Sequence, residues 1–239
     1  SAHQASKLRL FARVLETTGR QLDPEVLTLG FARRAATYKR ADLLFSNLER
    51  FLEVAGNRRV QFIFAGKSHP SDNGGKALLQ KIRKAARDLE ESIPIVFIDN
   101  YNMEIASLIT QGVDLWLNTP MRPREASGTS GMKCALNGIM NFSVLDGWWI
   151  EGWIEDVTGW SIGPEPNGGD LSDHYDESLD AIDLYEKLEK KIIPTYYENH
   201  DKWLDMMRHT IALNASFFNT HRVVREYASK AYSIDFRGM

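Results

Sequence analysis

One cysteine, Cys134, stands in the whole chain. An internal disulfide is therefore impossible, and a four-thiolate zinc site is excluded. The same scarcity suits a reducing compartment, so a cytoplasmic protein is expected. The six histidines are scattered without metal-ligand spacing, and no metal centre is expected. Neither sign of charge dominates: 29 lysines and arginines face 32 aspartates and glutamates, for a net charge of -3. Such a chain has no overall basic field for nucleic acid, although a local cationic site can still sit inside it. No apolar run approaches the roughly 20 residues that span a bilayer, so no membrane partner is expected. The polar opening SAHQASKLRL lacks the apolar centre of a signal peptide. It also lacks an initiating methionine, from which a processed or expressed fragment is expected. Internal repeats and low-complexity segments are missing too, and GPEPNGGD is the one linker-like stretch.

What is present suffices for a core. At 239 residues and 43% hydrophobic, the chain suits one large domain over 1–239, or a domain with a helical appendage. LTLGFA, VQFIFAG, IPIVFID, VDLWLN and NFSVL read as five buried strands. Between them, ADLLFSNLERFLEV carries Leu44, Leu48 and Phe51 at helical spacing, and KALLQKIRKAARDLE repeats Leu78, Ile82, Ala85 and Leu89. Further helices are expected from Met103 to about Gln111 and from near Glu125. This alternation predicts parallel strands with right-handed crossovers, a doubly wound, Rossmann-like α/β sheet over 1–174. Nearly continuous apolar strands agree with helices on both faces. From about Tyr175 to residue 239 the pattern is helical only, with Pro194 expected to break the first piece. Trp203, Met207, Ile211 and Phe218 share a stripe there, expected to pack mostly on the domain's own sheet.

Ligands of open parallel sheets bind beyond the carboxyl ends of the strands. RRAATYKR, GKSHP, DNYN and NTPMRPREASGTS follow strands one to four in turn, and so share that edge. RRAATYKR gathers Arg33, Arg34, Lys39 and Arg40. Arginine forks match phosphate oxygens and lysine adds a point charge, although a solvated basic turn is the plainer alternative. Residues Ala126 to Gly131 are small, so their amides can approach a ligand closely, and a helix starting there favours an anion. Lys133 lies just inside that helix. Desolvated among small residues it would have a lowered pKa and suit a Schiff base; the alternative is an ordinary solvated lysine. Glu125 would hydrogen-bond a polyol or serve as a first-turn acid. Tyr101 would stack on a planar ligand or pack on the sheet edge. His69 shows no acid–base partner, and the three tryptophans of DGWWIEGW suit a core or a domain contact better than sugar stacking.

EASGTSGMK, followed by NG and LDG, closely resembles the pyridoxal-phosphate signature of the glycogen and starch phosphorylases, the α-glucan phosphorylases. YKR preceded by RR is similar to their phosphate-binding strand end, and FAGKSHP and DNYN fall in order between the two. The resemblance runs from about Ser6 to about Tyr232, and an ordered set of motifs is far more specific than one match.

The resemblance implies the C-terminal lobe of the two-lobed GT-B glycosyltransferase fold. It implies reversible, retaining glucosyl transfer between α-1,4-glucan and inorganic phosphate, giving glucose 1-phosphate, with pyridoxal 5′-phosphate as cofactor. Lys133 would tether the cofactor, whose 5′-phosphate passes a proton to the substrate phosphate. Arg34 and Lys39 match the residues that hold the substrate phosphate, and with Lys133 form the expected catalytic set. Arg33 stands where the family has a lysine near the cofactor phosphate. The N–H groups of Thr129 and Ser130 match the amide cradle, and Tyr101 matches the aromatic beside the ring. Glu125, Ser127 and Gly128 match contacts to glucosyl hydroxyls. Two packed phosphates repel unless they share a proton, which can then pass to the leaving glycosidic oxygen.

Some positions depart from the animal form. Ser130 replaces a glycine, Gly131 an asparagine and Asn102 an arginine, and LDGWWIEGW stands for LDGANVE, as in the shorter prokaryotic branch. An N-terminal lobe supplying acceptor contacts and one wall of the site is implied and has no room in this chain. The chain by itself is therefore expected to be inactive. Two other readings share the architecture: a nucleotide-sugar glucan synthase lobe, which has no use for Lys133, and a non-catalytic binding module.

Overall fold

The computed structural model describes residues 2–56, 59–165, 176 and 178–232. Its sheet consists of β1 (Leu27–Ala32), β2 (Val60–Ala65), β3 (Ile95–Ile98), β4 (Leu115–Asn118), β5 (Met140–Val144) and β6 (Gly159–Ile162). The order is β3-β2-β1-β4-β5-β6, and every neighbouring pair is parallel. The chain winds outward from β1 to β3, returns to the centre for β4 and winds the other way. That is the doubly wound, Rossmann-like arrangement, and all five expected strands take part.

Apolar side chains cover both faces. Apart from half-buried Phe97, every strand residue is buried. The sixth strand was not expected. GWSI is too short to show a period, and tertiary packing defines it: Trp160 is fully buried with its ring centroid 5.9 Å from that of Trp203. At the centre, Leu29 pairs with Leu115 and Gly30 with Trp116. A Cβ on Gly30 would lie 2.8 Å from Val113 Cγ1, so glycine lets the approach to β4 close on β1. Between β1 and β4 the connections diverge to opposite sides and leave a crevice at the carboxyl edge.

Helices α1 (Ala2–Thr18), α2 (Leu48–Ala55), α3 (Asn73–Asp88), α4 (Met103–Gly112), α5 (Thr129–Leu136) and α6 (Trp149–Gly152) flank the sheet. The polar opening, unassigned in sequence, forms α1, with Leu10, Phe11 and Val14 buried. Fully buried Lys7 reaches Asp114 Oδ2 at 2.6 Å and the Val26 carbonyl at 2.9 Å, pinning α1 beneath the sheet. ADLLFSNLERFLEV is not one helix. A 3-10 turn (Leu43–Phe45) ends before Asn47, whose side chain accepts from Arg50 N at 3.0 Å and starts α2, leaving Leu48 exposed.

The C-terminal run comprises α7 (Ser178–Lys187), α8 (Ile193–Glu198), α9 (His200–His209) and α10 (Thr220–Glu226). Single π-helical turns follow α7, α9 and α10. Pro194 does not break the first piece: it sits in the opening turn of α8, where a missing N–H costs little, just after the widened turn Leu188–Ile192. The Trp203 stripe divides. Trp203 joins the sheet core and Met207 packs beside it, Phe218 meets Trp148 edge-on at 5.0 Å, and Ile211 is largely exposed. Most of GPEPNGGD and the change of pattern at Tyr175 lie outside the described residues. No helix among the described residues is long and apolar enough to cross a membrane.

Candidate active site

The chain leaves β1 as Arg33 and Arg34, and a 3-10 turn (Thr37–Lys39) follows. It leaves β4 as Thr119 and Pro120 and loops back through Glu125 to α5. These two loops flank the crevice, and their side chains meet. Arg33 Nη2 donates to Glu125 Oε2 at 2.7 Å, and Lys39 Nζ donates to the same oxygen at 3.1 Å. All three residues are only 8% exposed. Arg33 Nη1 also donates to Asn118 Oδ1, and Asn118 Nδ2 donates to Ser143 Oγ at 3.0 Å, which ties the guanidinium to the ends of β4 and β5.

Glu125 balances only one of two buried cations. Burial pulls the Arg33 guanidinium below its ordinary value and Glu125 pulls it back, yet an arginine remains a cation throughout. Arg33 Nε is buried without a hydrogen-bond partner. A buried pair of cations with a donor to spare suits an anion with several oxygens.

The expected start of α5 near Glu125 is corrected by the structure. Gly128, at φ 86°, is the N-cap and Thr129 the first helical residue. Glu125 is thus not a first-turn acid but a loop residue, whose N–H donates to Asp146 Oδ2 at 2.8 Å. The Gly147 N–H donates to Asp146 Oδ1 at 2.9 Å, and Trp148 N donates to the Ser127 carbonyl at 2.9 Å. Burial pushes the Asp146 carboxyl up, while the Glu125 and Gly147 backbone donors act against it. The LDG turn therefore holds the glycine loop in place. A Cβ on Gly131 would lie 2.4 Å from Asn141 Oδ1 and 2.9 Å from Trp148 Nε1, so the helix start packs tightly. Thr129 and Ser130 occupy the first helical turn, where amides lack intrahelical acceptors. Ser127 and Thr129 are exposed, Ser130 is half-buried and Gly128 is buried.

Lys133 lies one turn further on. It is exposed, so its small neighbours do not desolvate it as the sequence suggested. It lines a groove of about 260 Å³ between α4 and α5, with Met103, Ala106, Thr110 and Leu136. Half-buried Tyr101 feels both Arg33 and Cys134, which places its ring between the β1 loop and the Lys133 helix. Burial raises its phenol, and its hydroxyl donates to the Ala32 carbonyl at 3.4 Å.

The basic run divides by function. Arg34 is exposed at the crevice, whereas Arg40 is buried and donates to the Thr119 and Pro120 carbonyls at 3.0 Å each. Asn102 caps α4 by accepting from Ile105 N at 2.9 Å. His69 accepts from Ser71 N at 3.1 Å within its own turn. Trp148 and Trp149 are core residues and Trp153 packs on them. Sequence reasoning missed Asn118 and Asp146. A polar residue closing an apolar strand was the signal for the first, and the LDG triplet for the second.

Together, fold and crevice define a Rossmann-like lobe with a buried cluster of cations at its switch point. The carbohydrate phosphorylase family matches residues 1–159, and the chain belongs to that family. It is 47% identical over 215 residues to a maltodextrin phosphorylase of Thermococcus litoralis, covering 89% of this chain and 26% of the relative. It is 42% identical over 227 residues to a glycogen phosphorylase of Aquifex aeolicus, covering 92% of this chain and 32% of the relative. A glycogen phosphorylase of Mycobacterium tuberculosis is 43% identical over 218 residues, covering 88% of this chain and 25% of the relative. The chain therefore spans between a quarter and a third of the length of these relatives.

Proposed function

We propose that this chain, residues 1–239, is the C-terminal lobe of a cytoplasmic α-glucan phosphorylase of GT-B architecture. Its sheet core would run over 1–174 and its helical segment over 175–239. The enzyme would cleave α-1,4-glucan reversibly with inorganic phosphate, giving glucose 1-phosphate, and the second lobe would supply the acceptor-glucan contacts. One observation carries this reading: Arg33 and Lys39 from the β1 loop converge on Glu125 beside the glycine-built start of α5.

The residues present fit pyridoxal 5′-phosphate as cofactor. The unpartnered Arg33 Nε and the first-turn amides of Thr129 and Ser130 suit a phosphate monoester. Lys133 offers an amine at the rim of a partly apolar groove, and the flat ring of Tyr101 packs on the cluster that holds Cys134, the next residue along α5. When bound, the cofactor supplies an acidic phosphate next to the substrate phosphate.

In this reading Lys39 and exposed Arg34 grip the substrate phosphate, and Arg33 steadies the cofactor's. Lys133 tethers the cofactor. An arriving anion competes with Glu125 for Arg33 and Lys39, which releases the carboxylate to accept from a glucosyl hydroxyl. The Ser127 hydroxyl and the Gly128 backbone line the same loop and meet further hydroxyls. The assay is glucose 1-phosphate formation from α-1,4-glucan with phosphate and cofactor, run on this chain alone and on the chain joined to the preceding lobe. Product is expected only from the joined protein and is lost in Lys133→Ala. A joined protein that forms none contradicts the reading.

A further inference from the structure

Arg40 follows Lys39 directly and has a left-handed backbone, φ 40°, which is costly for a residue with a side chain. It is held on several sides. Its guanidinium bonds the Thr119 and Pro120 carbonyls and forms a buried ion pair with Asp180 Oδ2. The Thr119 hydroxyl answers, donating to the Lys39 carbonyl at 3.1 Å or the Arg40 carbonyl at 2.9 Å. Asp180 lies in the first turn of α7, far away in sequence, and is 0% exposed. Arg40 thus ties together the two loops that carry Lys39 and Glu125, and one carboxylate from the C-terminal segment backs its guanidinium.

We propose that Asp180 is a positioning residue for phosphate binding, acting through Arg40 to set the Lys39 loop against the Glu125 loop. This rests on the phosphorylase reading and adds to it a residue outside the crevice. An ionised carboxylate gives Arg40 a charge-assisted bond, whereas a neutral one leaves a buried guanidinium without its counter-charge. The relaxed arrangement then moves Lys39 away from the anion.

The arrangement also responds to pH. Burial is the largest influence on Asp180 and raises its carboxyl to about 6; Arg40 and Arg122 oppose the rise, and Asp183 on the same helix adds to it. Above that value the group is a carboxylate and the fastening is complete. Below it the group takes a proton and the fastening weakens.

The test uses the two-lobed enzyme with cofactor and compares wild type with Asp180→Asn, which keeps the shape and removes the charge. The Michaelis constant for phosphate should rise about tenfold at about pH 8, with that for glucan unchanged. The variant-to-wild-type ratio should fall toward unity at about pH 5, where the wild-type carboxyl is itself neutral. Taking the ratio cancels the titration of phosphate. Asp180→Glu should restore much of the affinity and its pH dependence. If Asp180→Asn does not fold, as judged by its thermal midpoint, Arg40→Lys is measured the same way and should show the same selective rise. A phosphate constant unaltered at every pH, in an active wild type, overturns the positioning role alone. A wild type without phosphorolysis overturns the functional reading, and this inference with it.

Discussion

Two cations share one carboxylate oxygen at Glu125, and the chemistry of the crevice starts from that imbalance. Losing one charge-assisted hydrogen bond is worth about 1.5–3 kcal/mol, on the order of a ten- to hundredfold change in affinity. Arg34→Ala and Lys39→Ala should each weaken the response to phosphate by that factor while pyridoxal stays bound. Titrating phosphate and glucose 1-phosphate against retained cofactor measures both. A variant that sheds its cofactor at unchanged phosphate affinity would assign these side chains to the other anion. The residue types of the grip were legible in RRAATYKR, but their division was not. Burial and partners separate Arg33, Lys39 and Arg40 from exposed Arg34, and these depend on residues 79 to 140 positions away. Lys7 illustrates the same limit: nothing local marks a lysine that ends fully buried against Asp114.

Elements with a strong period were readable, and elements defined by packing were not. LTLGFA forms β1 residue for residue, because a strand buried on both faces is written as an apolar run. β6 carries no such run, and α5 begins later than its acidic flank suggested because Gly128 alone takes the left-handed cap. Gly131 tests how closely α5 is seated. In an open helix, glycine to alanine stabilises by about 0.8–1 kcal/mol. Here the new Cβ would meet Asn141 Oδ1 at 2.4 Å and Trp148 Nε1 at 2.9 Å, one of them anchored in β5. Overpacking of this kind costs about 1–3 kcal/mol, so the sign reverses. Gly131→Ala should lower the denaturant midpoint of unfolding; a raised midpoint would show that α5 is loosely held.

At the scale of the whole molecule, the sheet order sets what one lobe can do. Every candidate group lies at the carboxyl edge, around the switch between β1 and β4, and in the proposed reading these groups would grip a phosphate, a cofactor and one side of a sugar. Holding reactants in attack geometry is worth roughly 7–11 kcal/mol, and a site open on one side forfeits most of it. The chain spans 26% of its Thermococcus relative and 32% of its Aquifex relative, which leaves ample length for a covering lobe in proteins of that kind. The expected silence of the chain alone follows from this geometry. The motifs named the cofactor and its lysine by resemblance; the structure adds that Lys133 is exposed, so whatever seats the cofactor must also cover that amine. The most direct measurement is therefore borohydride reduction of the cofactor-loaded, two-lobed protein, followed by peptide mapping. The pyridoxyl group should appear on Lys133 and nowhere else, and a label on another lysine, or none after cofactor is supplied, would contradict the assignment.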